Sequence, residues 1–277
     1  MQYLKNGKPA FWRGKYNKNQ ILGGNMKNFL VILAVMALVF SVAISFAEEK
    51  KESGLEFTFE PTAGTRYVSD FGITYLRNPF IGQTATLSSE KTGWYGAGLN
   101  MYAPSRKFNS GETEAGWFEG YAGKTGKASF FEYDAYVGAW TYEINRISHV
   151  GNTVYAGTEL KFPKILGMTP FLGSEYYYLP KETSQNGFVW RGGVEFNVWN
   201  VKLKAFATGH DKVFESNSAL LASGIASASY EIPATWIHKS AKFIPVVSYQ
   251  HRLEKEEREG GLTQGGFWTG LALKITF

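Results

Sequence analysis

The sequence has no cysteine among its 277 residues, which excludes a disulfide scaffold and any cysteine-ligated metal site. Histidine is also scarce. No second histidine or cysteine stands at metal-ligand spacing from any of the four, and the first three are predicted to lie in loops or turns: His149, His210, His238 and His251. Walker, Rossmann, zincin and nucleophile-elbow patterns are missing too. We therefore expect no metal, no cofactor and no enzymatic activity.

Excess positive charge is missing once the amino-terminal region is set aside. The whole chain has a formal net charge of +5, but residues 1–47 carry six basic and no acidic side chains. Residues 48–277 hold 23 basic and 24 acidic side chains, a net charge of −1. Because nucleic-acid binding needs a basic surface, we expect no nucleic-acid partner.

One apolar run, Phe29 to Phe46, is long enough to matter for targeting. It follows the basic start at Lys27 and ends on small residues at Ala47, a pattern typical of a secretory signal that is cut after Ala47. A retained helical anchor is the alternative, but the acidic continuation favours removal. The predicted organisation is an upstream extension without function, a signal peptide, a short periplasmic lead and one β-barrel: 1–25, 26–47, 48–54 and 55–277.

Alternating apolar and polar residues recur from Leu55 onward, separated by Gly, Asn, Pro and charged clusters. This predicts an all-β fold, an antiparallel up-and-down transmembrane β-barrel of about twelve strands, with ten to fourteen allowed. A soluble β-sandwich would alternate in the same way. The secretory signal and the aromatic residues near strand ends favour the membrane. The longer connections are expected outside the cell, at residues 70–80, 103–114, 143–152, 179–187, 209–218 and 254–266.

The last eleven residues, FWTGLALKITF, form the most regular of these strands. Leu271 and Leu273 share one face with Phe277, whereas Lys274 lies on the other. The strand resembles the closing strand of bacterial outer-membrane barrels, in which a terminal Phe is the assembly signal. The resemblance implies that Phe277 has this role and that the barrel-assembly machinery and outer-membrane lipid are partners.

Short motifs extend the resemblance through residues 66–83 (RYVSDFGITYLRNPFIGQ), 93–100 (GWYGAGLN) and 132–137 (EYDAYV). Their order is similar to that in a porin family of small bacterial outer-membrane β-barrels. The resemblance implies an unspecialised porin role without catalytic residues.

Charged residues fall on the face opposite the apolar one, because charges cannot face hydrocarbon cheaply. The pore-lining candidates are Arg66, Glu119, Glu132, Asp134, Glu159, Glu175, Arg191, Glu195, Lys202, Lys204, Arg252 and Lys274. Opposed charges are expected to face one another across the lumen. They would either set the selectivity of a narrow pore or close the lumen with salt bridges.

We therefore expect an outer-membrane channel for passive diffusion of small polar solutes. The alternative is a non-conducting structural or adhesive barrel that interacts through its extracellular loops. An outer-membrane hydrolase is the third hypothesis, in which His210 and Asp211 would act with Ser216 or Ser218. The oligomeric state stays open.

Overall fold

The computed structural model describes residues 54–71, 74–76, 79–103, 115–144, 147–179, 186–213, 218–253 and 265–277. The predicted extension and signal peptide lie outside the described residues, as does most of the predicted lead. Within the described part no helix is long and apolar enough to cross a membrane. The strands are β1 (Leu55–Gly64), β2 (Tyr67–Val68), β3 (Thr74–Leu76), β4 (Phe80–Ser89), β5 (Trp94–Ala103), β6 (Ala115–Ala128), β7 (Phe131–Ile144), β8 (Ile147–Lys161), β9 (Thr169–Tyr178), β10 (Gly187–Val198), β11 (Val201–Asp211), β12 (Ala219–Tyr230), β13 (Ile232–Pro233), β14 (Lys242–Arg252) and β15 (Gly266–Thr276).

The twelve long strands close into an antiparallel barrel. Neighbours in the chain pair with one another from β4 to β12, and β12 then pairs with β14. β1 pairs with β4 on one side and with β15 on the other, where Phe59 lies opposite Ile275. Each of the twelve long strands that the structure describes therefore has a partner on both sides, as a membrane-spanning sheet requires. The predicted fold class and strand number are confirmed.

The pairing register assigns each side chain to the lumen or to the outer surface, because directly opposed residues share a face. In the closing strand Leu271 is exposed on the outer surface, and Lys274 lies on the luminal face near Glu60. Exposed apolar residues recur on the outer faces of the other strands, among them Ile81, Leu87, Phe118, Val137, Val154, Leu172 and Val247. The barrel therefore has an apolar exterior.

The two ends of the barrel differ in their connections. The turn end, where Leu55 and Phe277 lie, has two-residue turns at 129–130 and 199–200, in which Ser129 and Trp199 each have a φ of 53°. Positive φ at the first turn residue suits the turns that match strand twist. The loop end, where Gly64 and Phe80 lie, carries the longer connections, several of them partly outside the described residues.

One predicted long connection is wrong. Residues 143–152 were expected to form a loop, but β7 continues to Ile144 and β8 begins at Ile147. The register shifts near Trp140 and Tyr142 let the hairpin bend as it extends. Backbone pairing here overrides the polar composition from which a loop is inferred.

The largest apolar cluster lies inside the barrel, towards the loop end. Its buried wall residues are Phe80, Met101, Ala103, Trp117, Trp140, Tyr155, Tyr177, Leu179, Val189 and Val213. Phe71 completes the cluster, although it belongs to the connection between β1 and β4. The lumen therefore contains a piece of chain that does not belong to the wall.

Candidate functional site

The described stretch that follows β1, residues 65–71, enters the lumen, and we call it the crossing segment. β1 and β10 lie on opposite sides of the barrel, with six strands between them in one direction and four in the other. Arg191 of β10 nevertheless contacts the segment. Its Nη1 lies 2.8 Å from the backbone oxygen of Asp70 and 2.9 Å from Oδ2 of the same residue, and its guanidinium lies 4.6 Å from the centre of the Phe71 ring. We call these contacts the latch.

Arg191 is positioned by the two strands beside it. Glu159, Gly173 and Arg191 lie opposite one another on β8, β9 and β10. A Cβ atom on Gly173 would lie 3.1 Å from Nε of Arg191, so the absence of a side chain there leaves room for the arginine stem. Arg191 thereby crosses β9 and forms an ion pair with Glu159. The guanidinium is held between a wall carboxylate and the crossing segment.

The latch stays charged at neutral pH. The side chain of Asp70 is 77% exposed, so it faces luminal space, but it is enclosed by the barrel. The Arg191 guanidinium holds the pKa of Asp70 well below its usual range, against an opposing effect of desolvation. Lys204 and Lys202 lower the pKa further. Protonation of Asp70 therefore requires strongly acidic conditions.

Tyrosines and carboxylates form hydrogen-bonded pairs on the wall from β5 to β9. The hydroxyl of Tyr95 donates to Asp134 at 2.7 Å, and that of Tyr136 donates to Glu175 at 2.7 Å. Glu175 also accepts a hydrogen bond from the hydroxyl of Tyr177. Glu119 accepts one from the hydroxyl of Tyr155 and another, at 3.0 Å, from Nε1 of Trp117. The acidic side chains are therefore oriented before any solute arrives.

Glycines on the luminal face make these pairs possible. A Cβ on Gly123 would lie 2.4 Å from the hydroxyl oxygen of Tyr95, and one on Gly138 would lie 2.4 Å from that of Tyr155. Each tyrosine therefore lies flat across a neighbouring strand to reach a carboxylate. Gly123 leaves the space that the Tyr95 side chain occupies.

The crossing segment and this wall enclose a cavity of about 340 Å³. Its lining includes five carboxylate residues, Asp70, Glu119, Asp134, Glu159 and Glu175, and one basic residue, Arg191. Aromatic rings supply most of the remaining lining, among them Tyr95, Tyr121, Tyr136, Trp140 and Tyr155. The cavity combines an excess of negative charge with aromatic surface.

A lysine cluster lies nearer the turn end. Lys161, Lys202 and Lys204 lie 3.5, 3.3 and 3.5 Å from the carboxylate oxygens of Glu195, and Lys161 also lies 3.5 Å from Glu159. Three cations thus surround one anion. Glu195 and Lys204 are directly opposed on β10 and β11, so these charges meet on neighbouring strands and not across the lumen as expected. A series of alternating charges runs from Asp70 through Arg191 and Glu159 to this cluster.

Four other predicted residues lie away from the cavity. Arg66 lies beyond the end of β1, where its Nη1 donates to the backbone oxygen of Gly265 at 3.5 Å. Glu132 lies at the turn end and pairs with Lys127 at 3.0 Å, both side chains being exposed. Arg252 lies opposite Ser223 near the loop end, and Lys274 lies opposite Lys242 near the turn end.

Sequence reasoning missed Asp70, Phe71 and the tyrosines. Asp70 and Phe71 were assigned to an external loop, because a polar stretch after a strand gives no indication of where it folds. An available indication was the apolar Phe71 within that stretch. For the tyrosines, the indication was the alternation of Tyr and Gly at luminal positions of adjacent strands, such as Tyr95 and Gly123.

Two of the three histidines predicted to lie in loops or turns belong to strands. His210 belongs to β11 and is buried, and His149 belongs to β8, so neither lies in a loop. Asp211 follows His210 in the strand and accepts a hydrogen bond from Ser218. Because successive strand residues point to opposite faces, His210 and Asp211 do not converge as a catalytic set would require. Ser216 lies outside the described residues, among which no group of acidic or histidine side chains could hold a metal ion.

No family model matches the chain, and no curated protein matches it. Solved structures of similar architecture include a KdgM porin, at 9% identity and a TM-score of 0.49, over 80% of this chain and 99% of that one. An outer membrane channel from Pseudomonas putida F1 has 9% identity and a TM-score of 0.49, over 80% of this chain and 94% of that one. The translocator domain of the autotransporter NalP from Neisseria meningitidis has 10% identity and a TM-score of 0.42, over 89% and 98%.

The likeness is structural only. At such low identity it assigns neither a family nor a function to this chain.

Proposed function

We propose that the chain is an outer-membrane channel through which small polar solutes diffuse passively, with a preference for cations. The observation that carries this proposal is the cavity inside the closed barrel, with its five carboxylate residues and one arginine. Fixed negative charge in a confined space raises the local concentration of cations and lowers that of anions. The predicted localisation, the bacterial outer membrane after cleavage near Ala47, is part of the same proposal and is supported by the apolar exterior.

The crossing segment narrows the lumen beside the acidic wall. A solute that enters from the loop end passes the charges of the latch, then the carboxylates, and then the lysine cluster around Glu195. Small polar solutes, which can exchange their hydration water for contacts with these side chains, should pass through the lumen more readily than large ones. The channel is therefore expected to be narrow and weakly conducting.

Conductance and ion selectivity of the folded protein in planar bilayers test the proposal. In a potassium chloride gradient the reversal potential should indicate cation preference. Asp134→Asn should reduce that preference, because it removes a charge from the cavity lining. Glu132→Gln, two residues along the same strand at the exposed rim, is the matched control and should change it less. Folded, heat-modifiable protein without any conductance would contradict the channel.

A barrel whose lumen is blocked and does not conduct is the second candidate, favoured by the apolar cluster that Phe71 completes inside the lumen. Such a barrel would act through its external loops, as a structural or adhesive protein. It predicts no conductance for the wild type and none for Asp70→Asn, whose latch is weakened. Conductance in either protein would favour the channel.

The hydrolase hypothesis is the weakest of the three, because His210 and Asp211 point to opposite faces of β11. Hydrolysis of a lipid or peptide by the purified barrel, abolished by a change of Ser218, would restore it.

A further inference from the structure

The cavity contains tyrosine rings arranged as perpendicular walls. The rings of Tyr95 and Tyr121 have centroids 6.2 Å apart and an interplanar angle of 77°. Those of Tyr136 and Tyr155 have centroids 6.2 Å apart and an angle of 72°. Perpendicular aromatic faces are the arrangement by which proteins recognise quaternary ammonium groups, because the negative face of each ring attracts the cation.

The negative charge of the cavity is spread over its walls. Among the described residues no three acidic or histidine side chains converge closely enough to hold a metal ion. A small inorganic cation in the cavity would therefore be coordinated by few of the carboxylates at the same time. An organic cation, with its charge spread over several carbon atoms, matches a cavity that offers aromatic faces between separated carboxylates such as Glu119 and Asp134.

Arg191 shows how this lumen accommodates an organic cation. Its guanidinium pairs with Glu159 and lies 4.6 Å from the Phe71 ring centre and 5.8 Å from that of Phe171. The residue is only 6% exposed, yet its Nε has no hydrogen-bond acceptor within the described part of the chain. The Nε atom is enclosed by protein atoms, so a ligand in the cavity contacts the carboxylates and the aromatic faces and not this atom.

We propose that the cavity binds a small organic ammonium ion, a compound of the choline type. The ammonium group lies between the tyrosine faces and is neutralised by Asp134 and Glu119. A volume of about 340 Å³ suits such a small molecule. The cavity opens to the lumen and not to lipid, so the ligand is a dissolved solute. The inference rests on the proposed channel only for the route by which the ligand arrives.

Calorimetry on the folded barrel in detergent tests this binding without requiring conduction. The probes are choline and 3,3-dimethylbutan-1-ol, which has the same shape and hydroxyl group but no charge. Choline should bind, and the neutral alcohol should bind at least about tenfold more weakly, the ratio that a loss of one strong cation–π contact produces. Equal binding of the two probes, or no binding of choline, would overturn the proposal.

Two variants locate the site. Asp134→Asn keeps an oxygen that accepts from Tyr95 and removes one charge, and Tyr121→Leu removes one aromatic wall; each should weaken choline binding by about tenfold. The controls are Glu132→Gln and Tyr133→Leu, on the same strand as Asp134 but outside the cavity lining. Controls that weaken binding as much as the test variants would refute the location. Choline binding by a barrel that does not conduct would support the choline site and contradict the proposed channel. Conduction without choline binding would support the channel and contradict the choline site.

Discussion

Arg191 and Asp70 are 121 residues apart in the sequence, and Asp70 follows a strand on the opposite side of the barrel, yet the two residues are joined by two contacts shorter than 3 Å. One contact is an ion pair between side chains, and the other is a hydrogen bond from the guanidinium to the backbone of the crossing segment. Arg191 thus holds the segment by two polar contacts, in addition to the packing of Phe71 in the apolar cluster.

Asp70→Asn should loosen the latch. An ion pair to a largely exposed carboxylate contributes up to about 1 kcal/mol, so its loss should raise the population of unlatched barrels by up to about fivefold. In single-channel recordings the variant should show larger or more frequent open states than the wild type. Glu132→Gln is the control, since Glu132 pairs with Lys127 at the turn end, away from the crossing segment. Recordings in which both variants match the wild type would show that the latch does not limit conduction.

The latch should tolerate acid. Because Arg191 lowers the pKa of Asp70, the charged carboxylate stabilises the latched state above the usual aspartate pKa of about 3.9, and that stabilisation is lost only as the pH falls through the lowered value. Open probability should therefore stay constant from neutral pH down to about pH 4.5. Arg191→Met removes the latch itself, so that variant should show the open states at every pH. An opening transition of the wild type centred near pH 4 or above would contradict this assignment.

Gly138→Ala should destabilise the barrel. The added Cβ would lie 2.4 Å from the hydroxyl oxygen of Tyr155, which must move and lose its hydrogen bond to Glu119. Overpacking of this kind costs about 1–3 kcal/mol. Gly98→Ala is the matched control, because a Cβ at Gly98 meets no atom within 4 Å. Urea unfolding in detergent should separate the two variants, and equal midpoints would refute the tyrosine–glycine packing.

Glu195→Gln should shift ion selectivity towards anions. The change leaves Lys161, Lys202 and Lys204 without their shared carboxylate, so the lumen near the turn end becomes more positive. The reversal potential in a salt gradient reports the shift. The same measurement on Glu132→Gln controls for the loss of a negative charge at the rim. A shift of the same size in both would mean that the lysine cluster does not line the ion path.

Phe277→Ser should reduce assembly of the barrel without altering selectivity. The backbone N–H of Phe277 donates to Phe57 at 2.8 Å, and its ring lies 6.0 Å from that of Phe57 and 5.1 Å from that of His238. The amount of heat-modifiable protein in the outer membrane measures assembly. Phe267→Ser removes an exposed aromatic residue at the other end of the same strand and is the control. Wild-type levels of Phe277→Ser would exclude an assembly role for this residue.

Much of the barrel could be predicted because alternation is a local property. Leu271 and Lys274 in the closing strand must face opposite ways whatever the strand pairs with, and a membrane then assigns the apolar face to the outside. The same reasoning placed Glu119, Asp134 and Glu195 on the luminal face. It failed at residues 143–152, where strand pairing extends a hairpin through a polar stretch.

The sequence by itself thus determined which residues form strands and which face of each strand is apolar, because both follow from the period of two along the chain. The tertiary structure alone decided that Arg191 meets Asp70, that Lys161, Lys202 and Lys204 share Glu195, and that Tyr155 lies over Gly138. These contacts depend on the register between strands and on the path of the crossing segment. Both are set by the closure of the whole barrel, which local alternation does not contain.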